Sequence, residues 1–156
     1  MDNSSLPRAD AAGGRIELKV PASAQWVRVV RLTVAGVASR LNFGIDAIED
    51  IKLAVAEAVN NAILHAPVAQ NGEAMVSIII ESDQSGIWIS VTDEGRLEDG
   101  LSVERGAPDL DDLPEGGMGL LLIRSLMDEV SHQSGSHADT VVKMFKKLPA
   151  RAARRA

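Results

Sequence analysis

The sequence predicts an α/β sandwich, with one mixed, mostly antiparallel sheet covered on one face by about three helices. Three observations predict it. Two long segments in the first half carry apolar residues at helical spacing, and two later pairs of short alternating segments are joined by turn-forming residues. Between those pairs lies an apolar segment opened by glycines, which reads as a further helix.

Composition narrows the class. The chain has 156 residues, 46% of them hydrophobic, enough for one continuous core and too few for two. Aromatic residues make up only 3%, so the core must be aliphatic and platforms for stacking bases are scarce. A net charge of -6 also argues against direct contact with nucleic acid or an anionic membrane, either of which calls for a basic face. There is no cysteine, so neither a disulfide framework nor a thiolate metal site can form. No basic leader and no membrane-length apolar run are visible, which fits a cytoplasmic protein.

Residues 1–14 are small, polar and aperiodic, and residues 149–156 end in a basic run; both read as disordered tails around a domain at 15–148. "RIELKV" alternates as a strand and stops at Pro21. From Ser23, a plausible cap, to Leu41 a helix is expected, with Trp26, Val30, Val34, Val37 and Leu41 on its apolar face. Val27, Val29 and Leu32 spill onto a second face, which is either packed or an interaction surface. A second helix follows from about Asp46 to His65, with Pro67 closing it. "EAMVSIIIES" and "GIWISVTD" form a hairpin around "DQSG". The polar stretch from about Gly95 to Glu115 is too long for a simple connection and reads as a functional loop. "GMGLLLIRSLMDEV" is expected as the third helix, and "VSHQSG" with "DTVVKMFKK" as the last hairpin.

Three polar features interrupt this apolar framework. In "EAVNNAILHA", Glu57 and Asn61 are four residues apart, beside a stripe of Ile48, Ile51, Val55, Ala58 and Ala62. An amide oxygen and a carboxylate so placed can ligate a hard cation and accept a proton; alone, the pair reads equally well as solvent-facing. In "VTDEG", Asp93 ends an apolar strand, where it can accept hydrogen bonds from a ligand amine while Gly95 lets a planar ring approach. Such a sequence is also a common turn. In "EGGMGLLLIRSL", Gly116, Gly117 and Gly119 lead into a helix whose first amides can seat a phosphate, or they form a hinge. Neither a Walker motif nor a dinucleotide fingerprint is present.

Taken in order, "EAVNNAILHA", "VTDEG", the long loop, "EGGMGLLLIRSLMDEV" and "DTVVKMFKKL" resemble the GHKL (Bergerat-fold) ATPase superfamily. Within it, the likeness is to the RsbW-type anti-sigma factor serine kinases, over roughly residues 15–148. The resemblance implies that Glu57 is the general base, that Asn61 holds Mg²⁺, and that Asp93 recognises the adenine amine of ATP above Gly95. It implies that Thr140 contacts the base directly or through water. The loop from Arg96 to Glu115 would be a nucleotide lid, with Gly116, Gly117, Met118, Gly119 and Leu120 at the phosphates. Asn60 is expected either to hydrogen-bond nearby backbone or to face water, and His65 to pack or hydrogen-bond rather than to hold a metal.

The chain departs from the family pattern in three places. Arg96 and Leu97 follow Gly95 where a second glycine is common, and Glu115 stands where some related kinases have arginine, leaving Arg105 as a candidate phosphate cation. The lid carries seven acidic residues against two arginines, so its side chains are expected to face solvent or a basic partner. The implied partners are an alternative sigma factor, a STAS-domain anti-anti-sigma protein that is phosphorylated on serine, and a second copy in a homodimer. Two other readings are a nucleotide-gated binding module without kinase activity and a detached histidine-kinase-type catalytic domain.

Overall fold

The computed structural model describes residues 13–65, 74–94, 117–134 and 140–150. Strand β1 spans Gly14–Pro21, and a short 3₁₀ turn at Ala24–Trp26 leads into helix α1, Val27–Arg40. Helix α2 runs Ile45–His65, followed by β2, Met75–Ser82, and β3, Gly86–Glu94. Helix α3, Gly117–Leu126, precedes β4, Glu129–Ser134, and β5, Thr140–Lys147.

The strands form one five-stranded sheet in the order β1-β2-β3-β5-β4. The expected sandwich forms, and among the described strands every neighbouring pair is antiparallel, so the sheet has no parallel component. The reason is connectivity. Strands β3 and β4 run the same way, as a connection through a helix requires, but β5 inserts between them and pairs antiparallel with both.

Alternation decides which side of the sheet is buried. Val76, Ile78 and Ile80 of β2, Ile87, Ile89 and Val91 of β3, and Val142 and Met144 of β5 join one aliphatic core with the helices. Into it α1 sends Val30, Val34 and Ala38, and α2 sends Ile51, Ala54, Val55, Ala58, Val59 and Ala62. The other side of the sheet carries Trp88 stacked on Phe145, its register partner, with ring centroids 4.2 Å apart. Lys143 lies over the Trp88 ring at 5.3 Å, a cation–π contact.

Three local expectations need correction. Ser23 flanks the 3₁₀ turn and makes no side-chain capping bond; α1 begins only at Val27. The second apolar face of α1 is only partly packed: Val27 lies against the core, while Val29 and Leu32 are exposed. The third helix ends at Leu126 rather than continuing to Val130. There Asp128 donates its backbone N–H to the Phe145 carbonyl at 2.9 Å, while its carboxylate accepts the Lys147 N–H at 2.7 Å. Those β5 bonds turn the chain into β4 while Met127 and Val130 still reach the core.

Helix ends are fixed by specific bonds. Asn42 adopts φ 63° after α1; its N–H reaches the Ser39 carbonyl and that of Phe43 the Ala38 carbonyl, the two bonds of a Schellman motif. Lys146 Nζ donates to the Leu126 carbonyl at 2.6 Å and lies 3.5 Å from Asp50, fastening the end of α3 and the start of α2 to β5. In the β2–β3 turn, the Asp83 carboxylate accepts from the Ser85 hydroxyl and then from the backbone N–H groups of Ser85 and Gly86, which hold its pKa below the ordinary value. A β-carbon at Gly86 would sit 2.1 Å from the Lys146 carbonyl oxygen, so only glycine fits that turn.

Ile51, in the first half of α2, is fully buried. Ile51→Ala is expected to cost about 2–5 kcal/mol in urea unfolding. Leu32→Ser, on the exposed face, is expected to stay within about 0.5 kcal/mol of the wild type.

Candidate functional site

The burial of α2 determines where its polar residues point. With Ala54, Val55, Ala58, Val59 and Ala62 turned into the core, Glu57 and Asn61 are held half-buried on the adjoining flank, and Asn60 faces solvent. They meet the first turn of α3. A β-carbon at Gly119 would lie 3.0 Å from Asn61 Nδ2, 3.2 Å from Glu57 Oε2 and 3.4 Å from Asn61 Oδ1. The absent side chain is what lets α3 approach the pair this closely. Residues 57, 61 and 119, far apart in sequence, thus form one contact. Gly117 belongs to the same first turn, Met118 is exposed and Leu120 is buried.

Asp93 is the second focus. Its place in β3 continues the core-facing set Ile87, Ile89 and Val91, so its carboxylate lies on the helix side of the sheet, 2% exposed. The Thr140 backbone N–H donates to Asp93 Oδ1 at 2.7 Å, a short charge-assisted bond. Thr140 follows the parity of Val142 and Met144 and therefore belongs to the same face. Residues 93 and 140, expected to share one base, are in direct contact through a main-chain donor that no side-chain pattern announces. Gly95, Gly116, Arg105, Glu115 and the lid at 96–115 lie outside the described residues.

His65 is exposed at the end of α2 rather than packed. Two basic residues that sequence reading did not group with it, His132 and Arg124, lie in its neighbourhood. His132 projects from β4 on the helix-facing side, opposite Val142, and its pKa is lowered by desolvation and then by the nearby charges of Arg124 and His65. Three basic residues from β4, α3 and α2 gather there in an acidic protein, through spacing that only the folded chain reveals.

The sequence pattern of the family described as "Histidine kinase-like ATPase domain" matches residues 20–146, which covers both foci. The chain belongs to this ATPase family. Among curated proteins it is 41% identical over 143 residues to the serine-protein kinase RsbW of Bacillus subtilis (strain 168), covering 85% of each chain. It is 37% identical over 139 residues to RsbW of Bacillus pumilus, covering 83% of this chain and 85% of that one. RsbW of Staphylococcus aureus is 41% identical over 139 residues, covering 85% and 87%. These three relatives are all RsbW serine-protein kinases. The fold also matches a solved structure described as the RsbU and RsbW domains of Rv1364c from Mycobacterium tuberculosis. That match has a TM-score of 0.64 and 18% identity, over 88% of this chain and 33% of the other.

Gly119→Ala tests the contact between α2 and α3. Alanine is favoured over glycine in a helix by about 1 kcal/mol, so thermal stability should hold while Glu57 and Asn61 are displaced by tenths of an ångström. Calorimetry should then show at least about tenfold weaker Mg-ATP binding, the equivalent of about 1.4 kcal/mol.

Acidification tests His132. Its folded-state pKa lies below the ordinary 6.5, so the folded protein resists a proton that the unfolded chain accepts. Stability is complete above the ordinary value and falls as pH drops through it toward the folded value. Urea unfolding between about pH 7.5 and pH 5.5 should show a smaller loss in His132→Gln than in the wild type.

Proposed function

We propose that this chain is an anti-sigma factor and serine protein kinase. It sequesters an alternative sigma factor and uses ATP and Mg²⁺ to phosphorylate a serine on a STAS-domain anti-anti-sigma antagonist. The observation that carries this reading is the contact of Gly119 with Glu57 and Asn61, in a chain 41% identical to an RsbW serine-protein kinase.

The donor set fits the nucleotide. An amide oxygen suits a hard divalent cation, a neighbouring carboxylate suits proton transfer, and a glycine-rich helix start offers backbone N–H groups to phosphate oxygens. Asn61 would hold Mg²⁺, with the amides of Gly116, Gly117, Met118, Gly119 and Leu120 toward the phosphates. Asp93 would accept from the adenine amine, with Gly95 and Thr140 beside the base. When bound, Mg-ATP supplies the phosphoryl group and a cation that offsets the charge on its oxygens.

Glu57 takes the proton from the attacking serine hydroxyl onto a carboxylate oxygen. Its neighbours keep it facing the nucleotide side of α2, and Gly119 leaves room for that orientation. Sigma factor and antagonist compete for the protein, so binding of one lowers occupancy by the other. The protein acts as a homodimer in the cytoplasm; no described helix is long and apolar enough to cross a membrane.

Incubation with Mg-ATP and a STAS-domain antagonist should give acid-stable phosphoserine. Glu57→Ala should lower the rate by at least about 100-fold with nucleotide binding retained, the scale of a lost general base. An unmodified antagonist with wild type and variant alike would instead identify a nucleotide-gated binder. Acid-labile phosphate would point to histidine-kinase chemistry.

A further inference from the structure

The end of the β3–β5 ladder carries an inference about how the base-reading carboxylate is held. The two strands pair in register from Gly86↔Lys147 to Thr92↔Val141. One further step would set Asp93 opposite Thr140, and there the pairing changes character. The Thr140 N–H donates to the Asp93 side chain, at Oδ1 and 2.7 Å, one step past the last register pair. Asp93 is 2% exposed and is the one polar residue among the buried described residues.

We propose that the main-chain N–H of Thr140 is a positioning group, which fixes the Asp93 carboxylate for selecting a six-amino purine over a six-oxo purine. The inference rests on the adenine reading of Asp93 given above. A carboxylate rotates about two side-chain torsions, and a bond from a strand backbone at one oxygen restricts both. A carboxylate has about four lone-pair sites, so engagement of one oxygen leaves capacity to accept from a ligand amine. A six-oxo purine presents an acceptor to the same carboxylate and is rejected, because two acceptors then face each other without a proton between them. Selection is sharp only while the carboxylate cannot swing away. Thr140 thus contributes through its backbone, whatever its hydroxyl does.

The test compares ATP with inosine triphosphate by calorimetry in the wild type, Thr140→Ala and Thr140→Pro. Proline removes the N–H, and the first position of a strand tolerates it. Alanine removes the hydroxyl and keeps the N–H. The wild type should prefer ATP by at least about tenfold, about 1.4 kcal/mol. The selectivity of Thr140→Pro should fall at least fivefold below that of Thr140→Ala, the order of loss from one freed hydrogen-bonding group. Equal selectivity in the two variants would overturn the positioning role and leave the adenine reading intact. Equal affinity of the wild type for both nucleotides would sink the adenine reading and this inference with it. Amide hydrogen exchange gives a measurement that does not depend on the proline variant folding. The Thr140 N–H should exchange at least about tenfold faster in Asp93→Ala than in the wild type. Unchanged exchange would show that the bond to Asp93 does not hold this amide.

Discussion

The rotational setting of α2 about its own axis is the constraint on which the site depends. The helix buries Ile51, Ala54, Val55, Ala58, Val59 and Ala62 against the sheet, and a turn by one residue would expose part of that face. Helical geometry then leaves Glu57 and Asn61 no choice of direction. The hydrophobic effect, which has no chemistry of its own, aims a carboxylate and an amide at the first turn of α3. Small residues matter here as much as large ones. Alanines at 54, 58 and 62 let the helix sit close to the isoleucines of β2 and β3.

The second focus arises differently. Asp93 is carried into the interior by strand alternation, as the next member of the series Ile87, Ile89 and Val91, and a buried carboxylate needs partners. The bond from Thr140 ties it to β5, two strands later in the chain. Both foci therefore lie on the helix side of a single sheet. The match of the ATPase family pattern to residues 20–146 spans the elements that build them.

Much of this was legible in the sequence because period and chemistry agreed. The stripe on α2, the two strands around "DQSG" and the glycines at 117 and 119 each obey one geometric rule. Where residues satisfy two rules, the sequence misleads. Leu126, Met127 and Val130 fit a continuing helix as well as they fit a turn into a strand, and only bonds from Asp128 to β5 decide the matter. Val29 and Leu32 on α1 look like core, yet the sheet accommodates only one face of that helix. The absence of a parallel pair among the described strands depends on which strand enters the gap between β3 and β4, a choice no local pattern encodes. The Thr140 amide and the gathering of His65, Arg124 and His132 are equally invisible, since one is main chain and the other unites three elements.

Among the described residues, the strand order also leaves two rims, β1 and β4, each paired on one side only. On β1 the residues Arg15, Glu17 and Lys19 alternate in sign along one side, and Arg15 is engaged with both Glu17 and Glu81. An incoming strand would have to strip water from these charges before forming its ladder. The rim thus discourages the edge-to-edge stacking that leads to fibrils.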